Sequence, residues 1–186
     1  MIPDLTEIIE LTNRKFEEIC GISYLGIDVP HRRCLHWSLA ACLALRAHGH
    51  RACINAGTAN FRANHLPEPY PTHIGFFWQK ESLEQIGARI ESGMLPEMHC
   101  WAVLPELQMI VNPTVQFLKT IADESGIKWA FDEPKPNEWL VSPEPDPKYY
   151  RYEANYEATV LADILATGII KESLKARRVR EPHNVL

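Results

Sequence analysis

The sequence predicts an α+β fold, with one central helix packed on an antiparallel sheet of about four to six strands and helices flanking it. Three observations predict it. Residues 34 to 48, Cys-Leu-His-Trp-Ser-Leu-Ala-Ala-Cys-Leu-Ala-Leu-Arg-Ala-His, are apolar around most of a helical circumference, which is the pattern of a buried helix. Downstream, short runs rich in aromatic and β-branched residues are separated by prolines and glycines, as strands are. From residue 155 onward the apolar residues return to helical spacing. A chain of 186 residues, 46% hydrophobic and 23% charged, is apolar enough to exclude disorder and suits a single domain over 1–186.

Taken in order, residues 4 to 20 form an amphipathic helix. Leu5, Ile8, Ile9, Leu11, Phe16 and Ile19 keep one face, Asp4 and Glu7 are a capping pair, and Gly21 is the stop. Residues 22 to 33 are irregular, and Pro30 precedes the start of the central helix, where a helix has not yet begun. Gly49 supplies the left-handed cap at its end. Residues 51–61 read as a strand, then a loop with Pro67, Pro69 and Pro71, then a strand over 72–78. A short helix covers 81–92, and Met98 to Leu104 and Gln108 to Asn112 form a hairpin. A helix over 114–125, a proline-rich stretch over 128–150 with one short strand, a strand near 148–153 and a terminal helix from Asn155 to about Arg178 complete the chain. In that last helix Val160, Leu161, Ile164, Leu165 and Ile169 mark the buried stripe.

Charge and cysteine usage bound the function. The formal net charge is −5 and the pI about 5.9, with no basic stripe, which excludes nucleic acid as the expected partner. No apolar run approaches the ~18 residues a membrane span needs, and the acidic N-terminus lacks the order of a signal peptide. Five cysteines without C-x-x-C spacing read as free thiols of a cytoplasmic protein. The eight histidines form no zinc-binding spacing, and no glycine-rich phosphate loop occurs, so neither metal nor cofactor is expected.

The chemistry centres on Cys34. A cysteine in the first turn of a helix faces unpaired backbone N–H groups and the positive end of the helix dipole, and both favour the thiolate. His99 opens a later strand, and Asn112 closes the next one. A thiol nucleophile, a base and a residue that orients the base are the parts of a catalytic triad. A two-residue loop at Pro105-Glu106 would set His99 directly opposite Asn112, close enough for the amide oxygen to accept from the imidazole N–H. Trp101 shares the face of His99, while Cys100 points to the other face and reads as packing, like Cys20, Cys42 and Cys53. His73 is the rival base, since it too begins an aromatic strand. His36 lies two residues past Cys34 and points elsewhere on the helix.

These motifs resemble the transglutaminase-like branch of the papain-like cysteine proteases. Cys34-Leu-His-Trp-Ser-Leu resembles the family's nucleophile helix. His99-Cys-Trp-Ala-Val resembles its histidine strand, and Val111-Asn-Pro-Thr114 its Asp-Pro-Thr. The likeness covers roughly residues 31 to 115, with Asn112 where that branch usually has Asp and the papain branch has Asn. It implies a papain-like core whose nucleophile helix packs on an antiparallel sheet. The implied activity is cysteine-dependent acyl chemistry on a peptide, protein or small amide. The catalytic set is Cys34, His99 and Asn112, with Trp101 and His31 as substrate contacts; the family's upstream oxyanion-stabilising side chain falls to His31 or Tyr24. The alternative is an inactive descendant of the fold that binds a peptide or protein in the same cleft.

Overall fold

The computed structural model describes residues 2, 4–21, 33–67 and 69–180. Among them the chain is α+β, with five α-helices and a sheet in which every strand pair is antiparallel. Helix α1 spans Leu5–Cys20 and buries Ile8, Thr12, Phe16 and Ile19. Its start departs from the sequence reading. Asp4 takes a left-handed backbone (φ 61°), and its side chain caps nothing. Helix α2, Cys34–Ala47, is buried along nearly its whole length, and Gly49 (φ 84°) turns the chain away behind it. Phe16 of α1 stacks on Trp37 of α2 with ring centroids 3.8 Å apart, which makes Trp37 core.

The sheet runs in the order β2 (His73–Phe76), β1 (Cys53–Arg62), β3 (His99–Leu104), β4 (Met109–Asn112), β5 (Leu140–Ser142), and β6 (Tyr150–Ala154) pairs with β1 off this path. One face carries Ile54, Ala56, Cys100, Ala102 and Leu104 against α1, α2 and the terminal helix α5, Tyr156–Arg180. The other carries Ala59, Phe61 and Ile74 against α4, Leu118–Glu124. Both faces are covered, so β3 is buried along its length except at Val103. That explains why its sequence is a continuous apolar run after His99 instead of an alternation. Helix α3, Leu83–Glu91, lies outside the core and is closed by a capping box of Ser82 and Gln85.

Two expectations change with the register. The β3–β4 loop is four residues long: Pro105–Leu107 make a 3-10 turn and Gln108 takes φ 51°. The pairs are therefore Ala102↔Val111, Val103↔Ile110 and Leu104↔Met109. Continuing that ladder puts Asn112 opposite Trp101 and Thr114 opposite His99. Asn112 is not directly opposite His99, as a two-residue loop would have made it; the two are diagonal neighbours on the same face, because the shift is even. In α5 the buried stripe is Ala158, Ala162, Leu165, Ala166 and Ile169, while Val160 and Ile164 face solvent. Small alanines let α5 lie close on β1, which a stripe of branched residues would have prevented.

Candidate active site

Cys34 is the first residue of α2 and is half-buried. The β3–β4 ladder begins only at Ala102, which leaves the edge of residues 98–100 uncovered on that side. The Cys34 sulfur fills this edge. As a thiol it donates to the Met98 carbonyl oxygen at 3.6 Å. As a thiolate it is favoured by the Cys100 thiol, by His99 and by the Cys100 backbone N–H. Those donors, with the Cys100 thiol foremost and the charge of His99 added, hold Cys34 well below the ordinary thiol range against the opposing effect of burial. Cys100 moves the opposite way: its bond to the Cys34 sulfur and its burial keep it protonated. Cys42, by contrast, is pushed up to about 12 by burial and is an inert core thiol.

His99 is 2% exposed and is packed by rings on several sides. Phe76 lies 4.9 Å from it centroid to centroid, Phe61 5.4 Å, and Trp101 stacks at 6.2 Å. This wall fixes the ring plane. Nε2 lies 3.1 Å from Asn112 Nδ2 and 3.4 Å from Thr114 Oγ1. Nδ1 is buried and forms no hydrogen bond among the described residues, while the presence of His99 favours the thiolate of Cys34.

Asn112 is fully buried at the end of β4 and caps the 3-10 turn Pro113–Phe117. Its amide oxygen accepts twice from Thr114, from the backbone N–H at 3.1 Å and from the hydroxyl at 2.7 Å. Its amide nitrogen is left to donate to Tyr152 Oη at 2.8 Å and to His99 Nε2. This reverses the expected bond. The amide nitrogen faces the imidazole because Thr114 occupies the oxygen. In the neutral ring the proton then sits on Nδ1, the nitrogen left for Cys34.

A cavity of about 590 Å³ opens over Cys34, His99 and Thr114. Its walls come from Phe76 at the end of β2 and Phe77 just past it, the segment 94–98 and α4 (Leu118, Ile121). Most of this lining is apolar, with Glu97 and Glu124 among its polar groups. Cys34, His99 and Asn112 are thus brought together from three elements. Trp101 is 1% exposed and lies under His99 against Tyr152, not in the cavity wall. His31 and Tyr24 lie outside the described residues. His73 is exposed, bonds Thr72 at 2.7 Å, and lines a different hollow with Arg62 and Tyr149. His36 is wholly buried in α2.

Sequence reasoning missed three members of this cluster. Thr114 follows from the register once the loop is known to have four residues. Cys100 follows from the open edge of β3, which lets a residue on the helix-facing side reach the thiol. Tyr152, 40 residues beyond Asn112, has no local signal at all; it arrives because β6 folds back onto β1. Burial raises the Tyr152 phenol above its ordinary range, so it stays a neutral partner of Asn112.

Among the described residues no group of three or more His, Cys, Asp or Glu side chains is arranged to hold a metal ion, and no helix is long and apolar enough to cross a membrane. No protein-family model matches the chain, and neither a curated protein nor a solved structure matches it.

Proposed function

We propose that the chain is a cysteine-dependent acyl-transfer enzyme on a papain-like, transglutaminase-like core, acting on an amide of a peptide, protein or small molecule. The observation that carries this reading is the meeting of Cys34, His99 and Asn112 from α2, β3 and β4 beneath one open cavity. The lowered thiol range of Cys34, unlike that of Cys42 in the same helix, supports it. Five free thiols are consistent with work in the cytoplasm.

In this mechanism the reacting tautomer of His99 carries its proton on Nε2, so that Nδ1 takes the proton of Cys34, and the thiolate attacks the amide carbonyl carbon. The backbone N–H of Cys34 is one donor to the oxyanion, since the first turn of α2 has no acceptor for it. The tetrahedral adduct collapses as His99 returns the proton to the leaving nitrogen, giving a thioester and a free amine. Water or a second amine then attacks the thioester, with His99 again taking and returning a proton. Water gives hydrolysis; an amine gives transfer. Asn112 and the ring wall orient His99 throughout.

The test is alkylation of the native protein with iodoacetamide at pH 6, mapped by mass spectrometry, in wild type and His99→Ala. Rapid labelling confined to Cys34, slowed in the variant, is the expected result. Labelling of Cys34 no faster than of half-buried Cys53 would overturn the nucleophile and leave the apolar cavity as a binding cleft for a peptide or partner chain. With an acyl substrate in hand, Cys34→Ser and His99→Ala are each expected to lower turnover by roughly 10²-fold or more while the fold persists.

A further inference from the structure

The mechanism above requires His99 to hold a proton on each ring nitrogen, one of them the proton taken from Cys34. The surroundings of Nε2 do not at first allow this. Asn112 presents a donor there, because its oxygen is doubly engaged by Thr114. Tyr152 accepts the other amide hydrogen and lies behind Asn112. The remaining neighbours of the ring are carbon surfaces of Phe61, Phe76 and Trp101. An Nε2–H without an acceptor in a buried site would disfavour the charged ring.

One acceptor is in reach. Thr114 Oγ1 is 3.4 Å from Nε2, and Thr114 is 3% exposed. Its single hydrogen is given to Asn112 Oδ1, which leaves its lone pairs to accept from the ring. We propose that Thr114 is a positioning residue of the triad, whose hydroxyl accepts the Nε2 proton when His99 is doubly protonated. The Asn112 amide cannot turn over to take that role, since its nitrogen would then meet the Thr114 backbone N–H, which donates to its oxygen. The charged ring therefore depends on a group at 114 that donates to Asn112 and accepts from Nε2. The inference rests on His99 being the working base of the site.

The experiment follows the nitrogen-15 signals of the His99 ring against pH in the full chain, in wild type, Thr114→Val and Thr114→Ser. These signals distinguish the two neutral tautomers from the doubly protonated ring. The titratable groups that face the ring are Cys34 from α2, Cys100 on its own strand, Tyr152 from β6, and Glu97 and Glu124 along the cavity. All are unchanged in these variants. Thr114→Val is expected to need about one pH unit more acid to charge the ring, a roughly tenfold loss. It is also expected to move the pH midpoint of Cys34 alkylation up by a similar amount, and Thr114→Ser to restore both. A purely structural role would let serine and valine fail alike. An unchanged ring titration in Thr114→Val overturns the proposal; Thr114→Ala repeats the comparison if the valine variant does not fold. Failure of the enzyme reading is separate: Cys34 would be unreactive in wild type whatever the ring titration does.

Discussion

At the scale of the residue, the thiolate of Cys34 is favoured by Cys100 as well as by His99. A thiol one position past His99, on the opposite face of β3, donates to Cys34 and is the largest cause of its lowered range. Removing that donor leaves His99 and the Cys100 backbone N–H to hold the thiolate against burial. Cys100→Ala is therefore expected to raise the pH midpoint of Cys34 alkylation by roughly one to two units, the worth of a hydrogen bond to a charged group. Iodoacetamide rates between pH 5 and 9 measure this, and a midpoint within a few tenths of wild type would refute it. Alternation along a strand assigned Cys100 to packing, and it is packed, at 0% exposure. What alternation does not show is that β4 pairs only from Ala102 on, and that the Cys34 sulfur meets the strand at the Met98 carbonyl, before that pairing begins.

At the scale of the element, α2 is legible because its physics is local: an apolar circumference, a glycine beyond its end, and a start at Cys34 that the structure reproduces. The hairpin is legible as a hairpin but not in its register, since register hangs on loop length, and Pro105-Glu106, a poor sequence for a two-residue turn, points to a longer loop without fixing its length. The same helix carries a stability prediction. His36 is fully buried, and burial, helped by the positive charge of Arg33, lowers it to about 4. Its unfolded value is near ~6.5. Between about pH 6.5 and 4 the unfolded chain binds the extra proton and the folded chain does not, so stability falls as pH falls through that window. Above it both states are neutral at His36 and the contribution is complete. The loss across the window is on the order of 3 kcal/mol. Urea unfolding at several pH values is expected to show this slope in wild type and a flatter one in His36→Leu; parallel profiles would count against it.

At the scale of the whole molecule, the site is assembled by contacts between distant parts of the chain, and one strand residue gathers them. Gly57 of β1 pairs with His99 of β3 and also with Ala154 of β6. Its neighbour Ala56 accepts from the Asn155 N–H at 2.9 Å and donates its own N–H to the Thr159 hydroxyl at 3.0 Å, so the start of α5 is pinned at the same point. The strand that holds His99 and the strand that holds Tyr152 therefore share one backbone position. No sequence pattern announces this: residues 57, 99 and 154 are related only by topology. The crowding is such that a Cβ on Gly57 would collide with the Glu153 carbonyl oxygen and the Asn155 nitrogen, both backbone atoms that cannot swing aside. Gly57→Ala must then push β6 and the start of α5 away from β1. The expected cost is about 1–3 kcal/mol of stability, read as a lower urea midpoint. The displacement also carries Tyr152 away from Asn112, loosening the amide that sets the proton on His99. Alkylation of Cys34 at pH 6 is accordingly expected to slow in Gly57→Ala even under conditions where the variant remains folded. A glycine outside this junction, Gly87 of α3, has open space around its Cβ position. Gly87→Ala is the matched control, expected to leave the alkylation rate unchanged and to raise stability slightly by helix propensity. Equal alkylation rates in the two variants would mean that the return of β6 onto β1 plays no part in setting the site.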